Sequence, residues 1–331
     1  MRSRKCIPAP HTENHTPKTE NHTPKTAHHT MVHTAALVDN EPLLSPALLA
    51  QLERMELISR KIFRGRMKGE RRSKRKGQSV EFADFRNYVA GDDLRFIDWN
   101  LYARLDKLLL KLFLEEEDLH FYSLIDVSDS MKFGSPTKLH YAKQLAASLG
   151  YIGLCRSDRV KIEALDGSTS SGAPVFRGKR SLGRMCDYVQ SIETKGNVTL
   201  TDAVKSFCLR NRGKGILVLI SDLMDKTGYE QALKFLVAQN MDVYVIHVLS
   251  QEEIDPEILG DLKLVDCEDG DMAEISVSQR LIDKYRATLA TFIEQARDFC
   301  SKRGIVYTMT STERSVDRLV SRYLRHQGLV K

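Results

Sequence analysis

Residues 216–220 read Ile-Leu-Val-Leu-Ile, five apolar side chains in a row with no polar face. A strand of that kind needs cover on both sides, and the usual cover is a layer of helices on each face of a parallel sheet. The neighbouring segments follow the same logic. Strands are expected at 121–126, 159–165, 215–220, 242–249 and 305–309. Helices are expected at 137–154, 182–192, 200–209, 229–239, 279–303 and 315–325. Within 137–154, Leu139, Ala142, Leu145, Ala146, Leu149 and Ile152 recur at three-to-four spacing, the period of a helix with one apolar face. Strand and helix alternate from 121 onward. The fold class is therefore α/β, a doubly wound, mostly parallel sheet flanked by helices.

The chain upstream is less regular. A first helix is expected over 46–63, from Leu48, Leu49, Leu52, Met55 and Leu57 or Ile58. Two strands, 108–115 and 119–126, read as joined by an acidic turn around 116–118. Residues 12–18 and 19–25 both spell Thr-Glu-Asn-His-Thr-Pro-Lys, so the first 30 residues are polar and Pro-punctuated and are expected to be disordered. Met31 then becomes a candidate start. Three regions follow: a tail at 1–45, an N-terminal extension at 46–118 and the α/β domain at 119–326.

Composition narrows the function classes. The net charge is +6, but residues 60–76 alone hold ten Lys or Arg against the single acid Glu70, so the basic character is local. Six scattered cysteines with no C-x-x-C pair read as buried free thiols of a reducing compartment. No apolar run is long enough to span a bilayer, and no apolar secretory core stands at the N-terminus, so a cytoplasmic location is expected. Neither a Gly-x-Ser-x-Gly elbow nor a phosphate-binding Gly-x-x-x-x-Gly-Lys loop is present, and the chain is not expected to be an enzyme.

In an open α/β sheet the ligand site lies beyond the carboxyl ends of the strands. Asp126-Val127-Ser128-Asp129-Ser130 follows the strand at 121–126, and Ser221-Asp222 follows the apolar run at 216–220. Alternate side chains of a loop leaving a strand point the same way, so Asp126, Ser128 and Ser130 can face one ion, with Asp222 joining from the second strand. Two carboxylates and two hydroxyls suit a hard divalent cation, with Mg2+ the expected one. The bland alternative is a turn in which Ser128, Asp129 and Ser130 only lead into the next helix.

This order of residues resembles the metal-ion-dependent adhesion site of von Willebrand factor A domains. Upstream, Glu81-Phe82, Arg86, Tyr88, Gly91-Asp92-Asp93, Arg95, Ile97-Asp98-Trp99 and Ala103-Arg104 are similar to the signature of the bacterial domain-of-unknown-function 58 family. The resemblance spans roughly residues 50 to 325. It implies a von Willebrand A-like fold with an N-terminal extension and frequent neighbourhood with MoxR-type AAA ATPases, and it implies no known reaction. It also implies a threonine ligand from a Gly-Thr-x-Leu loop. Here the loop runs from Gly196 to Asp202 and places Val198 at the usual position, so Thr199, one place off, is the expected ligand, with Thr201 and Asp202 as alternatives.

Arg86, Asp92, Asp93, Arg95 and Asp98 mix charges at close spacing, as a salt-bridge network bracing the extension or as a partner surface. Trp99 is expected to anchor packing. The leading expectation is a metal-dependent protein–protein interaction module, an adaptor for a MoxR-type AAA ATPase. The alternatives are a metal-dependent phosphoester hydrolase and nucleic-acid binding through 60–76.

Overall fold

The computed structural model describes residues 42–59, 81–114, 119–167, 172–196, 198–211, 215–256, 260–265 and 272–331. The chain divides into two compact units, Met1–Asn40 and Glu41–Lys331, and every described residue belongs to the second. The polar tail and the basic run at 60–76 lie outside the described residues.

The expected α/β architecture is present. A six-stranded sheet has the order β10-β7-β6-β3-β4-β5, where β3 is His120–Asp126, β4 Arg159–Leu165, β5 Val175–Phe176, β6 Gly215–Ser221, β7 Met241–Leu249 and β10 Val306–Ser311. All neighbouring strands run parallel except β5, which pairs antiparallel with β4 at the edge. Every residue of β6 is buried, as its apolar run requires. The period of two then divides the strands between two cores. Phe121, Ile125, Ile216, Val218, Ile220, Ile246 and Val248 face one cluster, while Tyr122, Leu124, Leu217, Leu219, Val243 and Val245 face the other.

The first cluster takes in α3 (Lys138–Cys155) and α4 (Leu182–Gln190), and the second takes in α5 (Leu200–Arg210), α6 (Glu230–Val237) and part of α8 (Gln279–Ser301). Helix α3 is buried without a break from Leu145 to Leu154, more completely than a helix with a single apolar face. It lies against β3 and β4 on one side and meets α1 (Pro46–Leu52) and α4 on others. A helix covered all round carries small and apolar residues all round, and Ala146, Ala147, Gly150 and Gly153 supply the close approaches.

Several sequence expectations are corrected. Helix α1 stops at Leu52; Ser45 caps it, accepting a bond from the Leu48 N–H at 3.2 Å. Leu57, which extended the helical period, is buried because it forms an antiparallel bridge with Val330. The strand β2 (Leu109–Leu114) does not pair with β3. It forms a separate antiparallel pair with β1 (Glu81–Asn87), because both edges of β3 are taken by β4 and β6. A short helix α2 (Trp99–Leu105), capped by Asp98, completes this signature module. Downstream, α7 (Gln251–Ile254) follows β7, and a hairpin of β8 (Gly260–Val265) and β9 (Met272–Val277) precedes α8. The expected helix at 315–325 is one turn of α9 (Val316–Arg318) that widens into a π-helical turn over Leu319–Leu324. No helix among the described residues is long and apolar enough to cross a membrane.

Candidate metal centre

The parallel register sets the site. Ile125 lies opposite Ile220, and Ser221 lies opposite His247, so β3, β6 and β7 deliver their carboxyl ends to one rim. Asp126 ends β3 and Asp222 follows β6; both are buried, at 7% and 1% exposure. Two aspartates 96 positions apart in the chain thus meet at the same edge.

Each carboxylate has its own set of donors. Asp126 Oδ2 accepts the Ser221 hydroxyl at 2.6 Å, and Oδ1 accepts the Ser128 N–H at 3.0 Å. Asp222 Oδ2 accepts from Lys138 Nζ at 2.7 Å, and Oδ1 accepts the Met224 N–H at 3.1 Å. The hydroxyls of Ser128 and Ser130 lie 3.0 Å apart, while Asp129 turns to an exposed ion pair with Lys132 at 2.6 Å. Leu223 takes φ +57, a left-handed conformation costly for a branched side chain, and its N–H donates to Ser221 Oγ at 2.9 Å. This tight turn keeps both Ser221 and Asp222 aimed at the rim.

The electrostatics of the two acids differ. Burial pushes the Asp126 carboxyl above its ordinary range, and the charge of Asp222 adds to the effect, against the bonds from Ser221 and Ser128. Burial also acts against ionised Asp222, but the charge and hydrogen bond of Lys138 outweigh it and hold Asp222 below the usual carboxylate range. Lys138 is itself fully buried, and burial acts to lower its pKa. Asp222 and Glu253 overcome that and raise it. Glu253 Oε1 accepts from Lys138 at 2.5 Å, while its Oε2 accepts the N–H of Ser250, closing the capping box of α7. Two carboxylates, Asp222 and Glu253, therefore share one ammonium, and Asp126 stands outside the pair. Behind them His247 bonds Tyr307 OH at 2.6 Å, and burial pushes its imidazole down to about 4.

The structure brings together Asp126, Ser128, Ser130 and Asp222. Thr199 has another post: it caps α5, accepting the Asp202 N–H at 3.2 Å and donating to the Asp202 carboxylate at 2.8 Å. Val198 packs towards Gly167, and Asp225 accepts the Leu200 N–H at the start of α5. Among the described residues no three His, Cys, Asp or Glu side chains converge as a metal-binding group, so the rim is a set of two aspartates and neighbouring hydroxyls. Ser221, Lys138 and Glu253 were missed by sequence reasoning. Ser221 stands beside Asp222 and was within reach of the strand-end rule, but nothing local marks Lys138 or Glu253, which arrive from distant elements.

Arg86, Asp92, Asp93, Arg95 and Asp98 do not converge on this rim. They pair within the signature module, Arg86 with Asp92 at 2.7 Å, Arg95 with Asp93 at 2.6 Å and Asp98 with Lys111 at 2.9 Å. Trp99, expected to anchor packing, is 58% exposed, because α2 buries no apolar side chain of its own. The described thiols Cys155, Cys186, Cys208 and Cys300 are free, but only Cys300 is buried as expected, the other three being half-buried; Cys6 and Cys267 lie outside the described residues.

The family model described as a protein of unknown function, DUF58, matches residues 84–296. The chain belongs to the DUF58 family. The match takes in the signature module from residue 84 onward, the strands β3, β4, β6 and β7 and both aspartates. Uncharacterized proteins of Mycobacterium bovis and Mycobacterium tuberculosis are 26% identical to this DUF58 chain over 258 residues, 76% of this chain and 81% of theirs. Among solved structures, a conserved hypothetical protein, BatB, from Bacteroides thetaiotaomicron aligns with a TM-score of 0.39 at 18% identity, covering 63% of this chain and 98% of its own. An aerotolerance-related membrane protein from Bacteroides fragilis aligns with a TM-score of 0.40 at 16% identity, covering 63% and 99%.

Proposed function

We propose that this DUF58 chain is a von Willebrand A-like, metal-dependent protein-binding module and not an enzyme. The observation that carries the reading is the buried pair Asp126 and Asp222. Only Asp222 has a cation, Lys138, while Asp126 is met by a hydroxyl and an amide N–H. A buried carboxylate beside a second one is disfavoured as an anion unless a positive charge joins it. A divalent cation with oxygen ligands answers that need, and the all-oxygen donors fit Mg2+, which keeps several waters and takes few protein ligands. Asp126, Ser128, Ser130 and Asp222 are the residues that would hold it. Thr199 would join only by releasing Asp202.

In this proposal the ion's remaining position takes an Asp or Glu of a partner protein, and the partner is a MoxR-type AAA ATPase met in the cytoplasm. The resemblance to von Willebrand A domains supports the first half and the family's usual gene neighbourhood the second. The test mixes the purified chain with the MoxR-type ATPase of the same genome, with Mg2+ or with a chelator. Binding is expected with Mg2+ and is expected to disappear with chelator and in Asp126→Ala. Binding indifferent to both treatments contradicts the proposal. Phosphoester turnover that depends on Mg2+ and vanishes in Asp126→Ala would replace it with the hydrolase reading.

A further inference from the structure

Thirteen large apolar side chains are exposed among the described residues, and seven of them fall within residues 89–108. Single exposed apolar residues are ordinary, but a concentration of this kind marks a surface that something covers. Among the described residues the signature module shows little core of its own. Ile97 and Leu110 are its buried apolar residues among those described, and no described side chain of the module joins either core cluster of the α/β sheet. A two-stranded sheet such as β1–β2 is marginal without cover on an apolar face. On α2, Trp99, Tyr102 and Leu105 recur every third position, and the rings of Trp99 and Tyr102 meet edge to face at 6.1 Å. Leu105 is 54% exposed, and Leu94 and Val89, a few residues upstream in the chain, are also more than half exposed.

We infer that this patch is the interface through which two copies of the chain associate. Charge selects that occupant. Residues 86–111 hold five cations (Arg86, Arg95, Arg104, Lys107, Lys111) and four carboxylates (Asp92, Asp93, Asp98, Asp106). Three of the carboxylates are paired inside the module. An anionic lipid surface or a strongly acidic partner would call for an excess of cations, which the module does not have. A nearly neutral apolar face can meet its own copy without repulsion. Arg104, Asp106 and Lys107, clustered in sequence and of both signs, can then face their counterparts across a two-fold axis. The area is of the right order: at on the order of 100 Å2 for each half-exposed side chain of this size, the seven together expose roughly 700 Å2 per copy, against the ~800 Å2 per partner of a stable interface.

The protein carries its own reporter, because Trp99 is the single tryptophan of the chain. Sedimentation of the full chain across a wide concentration range is expected to show a monomer–dimer equilibrium, with Trp99 emission shifting to the blue as dimer forms. Leu105→Glu is expected to stay monomeric with red emission and an unchanged far-UV spectrum. Trp99→Ala, at an exposed position that leaves the fold intact, is expected to weaken association by about 30-fold or more. A wild type that stays monomeric at every concentration overturns the inference, as does a dimer that both variants leave unchanged. A blue shift that appears only on adding phosphatidylglycerol vesicles, without self-association, also overturns it in favour of a lipid surface.

Discussion

Replacing Lys138 by Met keeps roughly the volume and stem of a side chain that is fully buried, and removes its charge together with the N–H donors that Asp222 and Glu253 accept from. In the folded chain the ammonium lies 2.7 Å from Asp222 and 2.5 Å from Glu253. At an effective dielectric near 20, each contact represents a gross attraction of about 6 kcal/mol. Taking three ions out of water costs several kcal/mol apiece, so the intact group lies near balance and is not itself a large source of stability. Removing one member is different: Asp222, 1% exposed, keeps its burial and loses its cation. The expected loss is about 3–5 kcal/mol, a large part of a typical total of roughly 5–15. Urea unfolding followed by circular dichroism, with chelator present, measures it. Added Mg2+ should then recover part of the loss in Lys138→Met, more than it adds to the wild type, because a cation at the rim would now face two unneutralised aspartates. A Lys138→Met protein within about 0.5 kcal/mol of wild type, with no response to Mg2+, would refute the reasoning.

Two more outcomes follow from neighbouring geometry. The His247 imidazole is pushed from its ordinary 6.5 down to about 4 by burial, so the unfolded chain takes up the proton first as pH falls. Stability from keeping it neutral is complete above about pH 6.5 and is lost as pH drops towards 4, by about 3 kcal/mol; urea titrations at several pH values should show a steeper acid loss in wild type than in His247→Asn. Gly134 has φ +94, and a Cβ there would lie 2.6 Å from Ser250 Cβ, so Gly134→Ala is expected to lose about 2–3 kcal/mol in the same assay; an unchanged midpoint would show that the loop after Ser130 need not close on Ser250.

What was readable in the sequence depended on whether one segment carried its own signal. The run 216–220 announces a doubly covered strand by itself, and the sheet, its helices and the convergence of Asp126 with Asp222 follow from it. The apolar period placed α3 from about 137, and the structure caps it there with Thr137, which accepts the His140 N–H within its own turn. Leu57 misled because a buried bridge residue and a helical core residue look alike in a periodic count. The β2 strand misled because its partner is chosen by which strand edges are still open, a property of the whole sheet. Lys138 and Glu253 were invisible for the same reason: they are separated by 115 positions, and only the packing of α3 against the β7–α7 turn makes them a pair. Trp99 misled because aromatic size argues for burial wherever a core exists, and the helix that carries it buries no side chain.

The central claim is that the rim of β3 and β6 holds one divalent cation, and equilibrium dialysis with Mn2+ as a probe, checked by competition with Mg2+, tests it most directly. The account predicts one ion per chain, displaced by Mg2+ and lost in Asp126→Ala, together with a rise in stability that reaches about 2.7 kcal/mol at a hundredfold excess over Kd. No bound ion at millimolar concentrations, or binding that Asp126→Ala leaves intact, would contradict it.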